Sequence, residues 1–196
     1  MDLITSSHGL VQRVQQGDRD AFARLFEKHS RPLAVIIYYQ MGSNARRMDE
    51  VDDILQETLL RAFRDIDQFE YRSSGSFLRW LARIAGHVIA DLARSQNRQK
   101  RAGEHVRFRS DTNPGGPEPV DSATPSRIFA ENQSLAGFIG KLDLLPEDYR
   151  RVILLAKVEG FTTGEIAQQL GKSNEAVALL LHRAIKRLRF LMQGQE

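Results

Sequence analysis

Between Gly103 and Ser126 the chain passes through NPGGPEP, with few large apolar residues and no helical period, and this stretch constrains the fold more than any other. Proline removes a backbone donor and glycine adds backbone entropy, so neither helix nor strand propagates across it. It reads as a flexible connector, and the 196 residues divide around it into blocks 1–102 and 127–196. In both blocks apolar residues recur at spacings of three and four, while two-residue alternation is scarce. The expected fold is therefore all-α: two helical domains joined by a flexible linker.

In the first block Leu10, Val14, Ala21, Phe22, Leu25 and Phe26 begin a helical series that Pro32 is expected to restart at a first helical turn. Gly42 and Ser43 break the pattern. A long helix from Asp49 to about Phe69 gathers Val51, Ile54, Leu55, Thr58, Leu59, Ala62 and Ile66 on one side. After the loop YRSSGS, a third helix from Phe77 to about Arg101 offers Phe77, Leu81, Ile84, Val88 and Leu92 to the core. In the second block Leu135, Phe138, Ile139 and Leu142 mark one helix. Pro146 opens another, which packs Tyr149, Val152, Ile153 and Ala156 and ends at Gly160. Thr162 with Glu165 forms a capping box for a short helix ending at Leu170. Gly171 turns the chain, and Ser173 caps a final helix to about Leu191.

Charge and composition narrow the function classes. Sixteen Lys/Arg face thirteen Asp/Glu in the first block, two face four in the connector, and ten face eight in the second block. Two mildly basic blocks thus flank an acidic connector, compatible with nucleic acid and equally with ordinary solubility charge. No apolar run approaches the roughly twenty residues a bilayer requires, and MDLITSSHGL has no basic segment followed by an apolar stretch, so a cytoplasmic location without membrane insertion is expected. Zero cysteines exclude disulfides, thiolate metal sites and cysteine nucleophiles. The five histidines show no metal-ligand spacing. His87 and Asp91, one helical turn apart, lack a nucleophile or phosphate cradle, so a helix salt link is the simpler reading. Neither an enzyme nor a cofactor is expected.

Three features carry chemistry. The segment TTGEIAQQLGKSNEAVALLLHRAIKRLR has the form of a helix-turn-helix: a short first helix, the small residue Ala167 at the crossing, and a longer second helix. Ile166, Leu170, Val177, Leu181 and Leu188 supply its core. The outward face of the second helix then shows Glu175, Leu179, His182 and Lys186, flanked by Arg183, Arg187 and Arg189, which suits groove reading and phosphate anchoring, although a plain helical hairpin with a solvated basic end fits the same residues. On the helix from Asp49, a stripe of Asp49, Asp53, Gln56 and Leu60 lies opposite the core, with Asp52 and Glu57 beside it. Acidic groups framing an exposed leucine suit a basic protein partner, or simply solvent. On the third helix Arg79, Arg83, Arg94 and Arg101 project away from the core with Arg98 nearby, and Trp80 and His87 sit at the border. Such a row can track phosphates while aromatics stack on bases.

Taken in order, EVDDILQETLLRAF, SGSFLRWLARIA, a basic helix end, a linker and LPEDYRRVILLAKVEGFTTGEIAQQLG resemble the extracytoplasmic-function class of sigma factors. The resemblance covers nearly the whole chain except the linker. It implies a region-two domain at 1–102 and a region-four domain at 127–196, with core RNA polymerase and promoter DNA as partners. It implies that Asp49, Asp52, Asp53, Gln56, Glu57 and Leu60 dock on the β′ clamp helices, and that the polymerase contacts extend to the β flap. It also implies that Phe69, Tyr71, Ser74, Ser76, Phe77, Arg79, Trp80, Arg83, His87, Arg94, Arg98 and Arg101 hold the melted minus-ten strand, with one base taken out of the stack. By the same resemblance the helix-turn-helix would read the minus-thirty-five duplex with Lys172, Ser173, Asn174, Glu175, Leu179, His182, Arg183, Lys186 and Arg187, and the linker would thread near the active centre. Broad helical faces in both domains leave room for an anti-sigma factor.

The chain departs from the family pattern twice. His87 stands where members often have Asn, so the family's minus-ten preference does not carry over. AVALLLHRA replaces a recognition helix that often reads T-V-K-S-R-L-H-R-A, so Ala178 and Leu180 stand where basic residues are usual. A weaker or differently oriented minus-thirty-five contact is expected, with Leu179 or Leu180 touching thymine methyl groups or a protein partner. The rival reading, a stand-alone helix-turn-helix regulator, leaves the acidic stripe and the YRSSGSF loop without a role.

Overall fold

Ser6 and Asp18 each cap a helix: their side-chain oxygens accept the backbone N–H of Gly9 and of Ala21, both at 3.0 Å. The computed structural model describes residues 6–42, 48–102 and 125–193, with side chains at 6–42, 48–98 and 134–193. The connector up to residue 124 and the side chain of Arg101 fall outside the described residues. The series expected from Leu10 onward is two helices, α1 (Ser7–Gln15) and α2 (Arg19–Gln40), because Gly17 turns the chain between them with φ 90°. Pro32 lies inside α2 and does not restart it. A mid-helix proline deletes a hydrogen bond and crowds the preceding turn at a cost of about 3 kcal/mol. Leu25, Leu33 and Ile37, all fully buried on either side, hold the helix through it.

Helix α3 (Met48–Asp65) continues into a tight turn at Ile66–Gln68, and α4 (Ser76–Ala102) follows the loop. Helices α2, α3 and α4 pack on one another and α1 lies against α2. Val51, Ile54, Leu59, Ala62 and Ile66 are buried from α3 and its turn; Phe77, Leu81, Ile84 and Val88 are buried from α4. Leu92 is only partly buried, and Leu78, Ala82 and Ala85 join the core beside the expected positions.

Thr58 is fully buried and its Oγ1 has no hydrogen-bond partner. A buried orphan hydroxyl costs about 1–3 kcal/mol, and Thr and Val are nearly isosteric with similar helix propensity. Thr58→Val should therefore raise the unfolding free energy by about 1 kcal/mol in urea titration. A stability equal to or below that of the wild type would mean the hydroxyl is satisfied.

The second half comprises α5 (Pro125–Asp143), α6 (Glu147–Ile153), a wide π turn at Leu154–Val158, α7 (Thr163–Leu170) and α8 (Asn174–Met192). Helices α5, α6 and α7 all pack on α8. The π turn, which the spacing did not suggest, carries α6 to Gly160, whose φ of 73° ends it. Among the described residues there is no strand, and no helix is long and apolar enough to cross a membrane.

Candidate functional site

Three surfaces correspond to the expected features. On α3, Asp49, Asp53, Gln56 and Leu60 are exposed, and Asp52 and Glu57 are half-buried beside them. Leu60 keeps 47% of its surface in water. Glu57 is already engaged: Arg61 donates to it at 2.7 Å and also donates to Asp91 of α4 at 3.0 Å. Asp91 is bridged in turn by Arg94 at 3.1 Å. Its carboxyl is held below the ordinary range, chiefly by the Arg61 hydrogen bond. Asp91 is thus an anchor between α3 and α4, and one arginine ties the rim of the acidic stripe to the helix carrying the arginine row. No group of three or more metal-ligating side chains comes together among the described residues.

The second surface is the loop from Phe69 to Phe77 with the face of α4. Gln15 of α1 donates to the carbonyls of Ile66 and Phe69, both at 2.9 Å, and so fixes where the loop begins. The hydroxyl of Ser76 donates to the Ser73 carbonyl at 2.7 Å and accepts from the N–H groups of Arg72 and Ser73, which closes the loop around the start of α4. Phe69 and Phe77 are buried and stack with half-buried Trp80, at ring-centre distances of 4.9 and 5.6 Å. These two phenylalanines therefore shape the surface from beneath. Tyr71 is half-buried and stacked on His8 of α1 at 4.6 Å, an addition from outside the predicted set. Ser74 is exposed and Ser76 half-buried. Along α4, Arg83, His87, Arg94 and Arg98 are exposed on one face.

Arg79, the first arginine of that row, is occupied. It donates to the carbonyls of Glu159 and Gly160 at 3.4 and 3.1 Å and to the Ser73 hydroxyl at 3.1 Å, and lies over the Phe161 ring at 5.0 Å. The turn that ends the π segment thus sits against the loop. Burial pushes the Glu159 carboxyl up, with Arg79 partly opposing it. A second contact joins α2 to the other half: Tyr38 and Tyr39 donate to Asp143 at 3.4 and 3.0 Å, and Arg150 bridges Asp143 at 3.5 Å while lying over the Tyr39 ring. None of these pairings has a local sequence signature. Gly75, at φ 86° in the S-S-G-S loop, and Gly160, at φ 73°, mark an unusual backbone at either side of the first contact, but not the pairing itself.

The third surface is the pair α7 and α8. Both halves of the Thr162–Glu165 capping box form, Gly171 turns with φ 62°, and the Ser173 hydroxyl accepts the Ala176 N–H at 3.2 Å. Ile166, Ala167, Val177 and Ala184 are buried at the crossing, and Leu170, Leu181 and Leu188 are partly buried around it. Ala184 belongs to the crossing although the spacing analysis passed over it. Lys172, Ser173, Asn174, Glu175, Ala178, Leu179, His182, Arg183, Lys186 and Arg187 are exposed. Leu179 keeps 50% of its surface in water, whereas Leu180 is half-buried and packs on the core. Of the two leucines, only Leu179 points outward.

The sequence profile of the ECF sigma factor family matches residues 5–192. The chain is 32% identical over 187 residues to the RNA polymerase sigma factor NccH of Alcaligenes xylosoxydans xylosoxydans, covering 95% of each protein. It is 30% identical over 187 residues to the ECF RNA polymerase sigma factor BldN of Streptomyces coelicolor, covering 93% of this chain and 64% of that longer protein. It is 26% identical over 163 residues to the ECF RNA polymerase sigma-E factor of Haemophilus influenzae, covering 83% and 82%. A two-part helical chain with these three surfaces, matched by the family profile almost end to end, belongs to the ECF sigma factor family.

Proposed function

We propose that the chain is a reversible, non-catalytic specificity subunit that binds core RNA polymerase and directs it to promoters through minus-ten and minus-thirty-five DNA. In this reading residues 1–102 hold the polymerase and the melted minus-ten strand, 103–126 connect, and 127–196 read the minus-thirty-five duplex. The observation that carries it is the side-by-side packing of α3 and α4, which puts an acidic, leucine-bearing face next to an arginine face in one helical bundle. A stand-alone regulator needs neither the stripe nor its attachment through Arg61. The stripe, Asp49, Asp52, Asp53, Gln56, Glu57 and Leu60, meets a basic polymerase surface. Tyr71, Ser74, Ser76, Arg79, Trp80, Arg83, His87, Arg94, Arg98 and Arg101 meet the single strand, supported by Phe69 and Phe77. Lys172 to Glu175 with Leu179, His182, Arg183, Lys186 and Arg187 meet the duplex.

Binding of genomic DNA fragments by the chain, with and without core polymerase, tests this reading. Selective enrichment of a fragment set is expected only with polymerase present, and equal enrichment by the chain alone would favour the regulator. Within the complex, each phosphate contact contributes nearly one unit to the slope of log affinity against log salt. Replacing exposed Arg83 with Ala should flatten that slope by roughly one unit, and an unaltered slope would remove Arg83 from the backbone contacts.

A further inference from the structure

We infer that α1 belongs to the single-strand site: His8 is a positioning residue that backs the Tyr71 ring, so that the ring's opposite face takes an unpaired base. The inference rests on the reading of the loop from Phe69 to Phe77 as the place where the melted strand is held. A ring on a loop keeps its orientation only if neighbours fix it, and a base binds best to a plane that is fixed beforehand. Tyr71 stands between Glu70 and Arg72, both exposed. His8 lies against its face at 4.6 Å with 17° between the planes, and Phe69 meets it edge-on at 6.5 Å. One face contact and one edge contact define the plane. Tyr71 is only half-buried, so part of the ring remains open to a ligand.

Helix α1 is built to hold His8 in that place. Ser6 caps its first turn by accepting the Gly9 N–H at 3.0 Å, and the Ser7 hydroxyl is hydrogen-bonded to the His29 ring at 2.9 Å. His29 in turn packs edge-on against Phe77, where the loop ends. Gly9, Leu10 and Val11 are buried, so the helix cannot roll. Positions 8 and 15 lie about two turns apart on one side of α1, and Gln15 donates to the carbonyls of Ile66 and Phe69. One helix thus fixes both the backbone where the loop begins and the ring two residues further on. A ring pair that served only the core would be buried, whereas His8 and Tyr71 are both half-buried. From Tyr71 the rings continue through Phe69 to Trp80 at 4.9 Å, which joins α1 to the arginine-bearing helix α4.

Forked duplexes cut from a genomic fragment that the polymerase-bound chain enriches, each with one unpaired base replaced by fluorescent 2-aminopurine, test the assignment, because stacking quenches that base. With the wild-type holoenzyme, emission should fall at one position of the strand. His8→Ala should restore most of that emission and weaken fork binding about tenfold, within what one base stack contributes. His8→Phe keeps a flat ring behind Tyr71 and should retain the quench and the affinity. Tyr71→Ala should abolish the quench, and adding His8→Ala to it should cost nothing more. Gln15→Met, at an exposed position, should reduce the quench at the same base and weaken binding about threefold, so the test stands even if His8→Ala folds poorly. A full quench in a folded His8→Ala, or losses from His8→Ala and Tyr71→Ala that simply add, overturns the assignment. If no position is quenched, and Tyr71→Ala and Arg83→Ala bind the fork as the wild type does, the single-strand reading itself falls and takes His8 with it.

Discussion

Reversing charge at Asp53 and Glu57 together, as Asp53→Lys with Glu57→Lys, should weaken association with core RNA polymerase by about a hundredfold or more, because like charges juxtaposed across an interface cost several kcal/mol. Asp53 is exposed on α3, so its reversal changes the surface and leaves the core alone. Glu57 needs a control, since it also accepts from Arg61, which reaches on to Asp91. An i,i+4 ion pair on a helix surface contributes only about 0.3–0.5 kcal/mol, and even this half-buried one is small beside the apolar core that holds the bundle. Glu57→Gln removes the ion pair without placing a cation on the face, and its milder defect separates local support from docking. Surface-immobilised polymerase at two salt concentrations reads the result. The defect should shrink as salt rises, because rim charges act largely through screened attraction. Wild-type affinity in the double variant would remove the stripe from the interface.

The second large effect concerns acid stability and centres on His29. This side chain lies on α2, bonded through Nε2 to the Ser7 hydroxyl of α1 at 2.9 Å and packed edge-on against Phe77 of α4 at 5.1 Å. Burial, with a smaller contribution from neighbouring Lys28, lowers its pKa to about 4. In the unfolded chain the ring titrates near 6.5, so between those values the unfolded state binds the extra proton. The stability that His29 contributes is complete above that unfolded value and drains away as pH falls toward the folded one. At about pH 5 the loss amounts to about 2 kcal/mol relative to neutral pH. Urea titrations of wild type and His29→Gln at neutral pH and at about pH 5 isolate this group, because the carboxylates are common to both proteins. The variant should lose about 2 kcal/mol less on acidification. Equal losses would mean that the ring is not held neutral by its surroundings.

Helices with strong local signals were legible in the residues themselves. The capping box at Thr162 and Glu165, the left-handed Gly171 and the Ser173 cap all write the turn between α7 and α8 into adjacent positions, and they form as the spacing predicts. Periodicity likewise identified the buried sides of α3 and α4. Local reasoning failed where tertiary contact decides. Pro32 reads as a helix start, yet fully buried Leu33 and Ile37 carry α2 through it. The division at Gly17 and Asp18 was available as a turn glycine followed by a capping aspartate, but the longer apolar period concealed it. The engagement of Arg79 by Glu159 and Gly160 joins residues about eighty positions apart. An arginine that looks free along one helix face is committed in space.

At the site, the exposed side chains of the stripe, the arginine row and α8 follow from helical geometry, and so does the burial of Phe77. Phe69, in the loop, has no period to place it, and lies below the surface packed on Phe77 and Trp80. Leu180 packs inward and Leu179 outward, which leaves Leu179 as the exposed large apolar side chain on that part of α8.

Transcription from genomic fragments by purified core polymerase, with and without the chain, addresses the central claim most directly. Discrete start sites sharing common upstream elements should appear only when the chain is added, and should vanish with the Asp53 and Glu57 charge reversal. A start-site pattern unchanged by adding the chain would contradict the account.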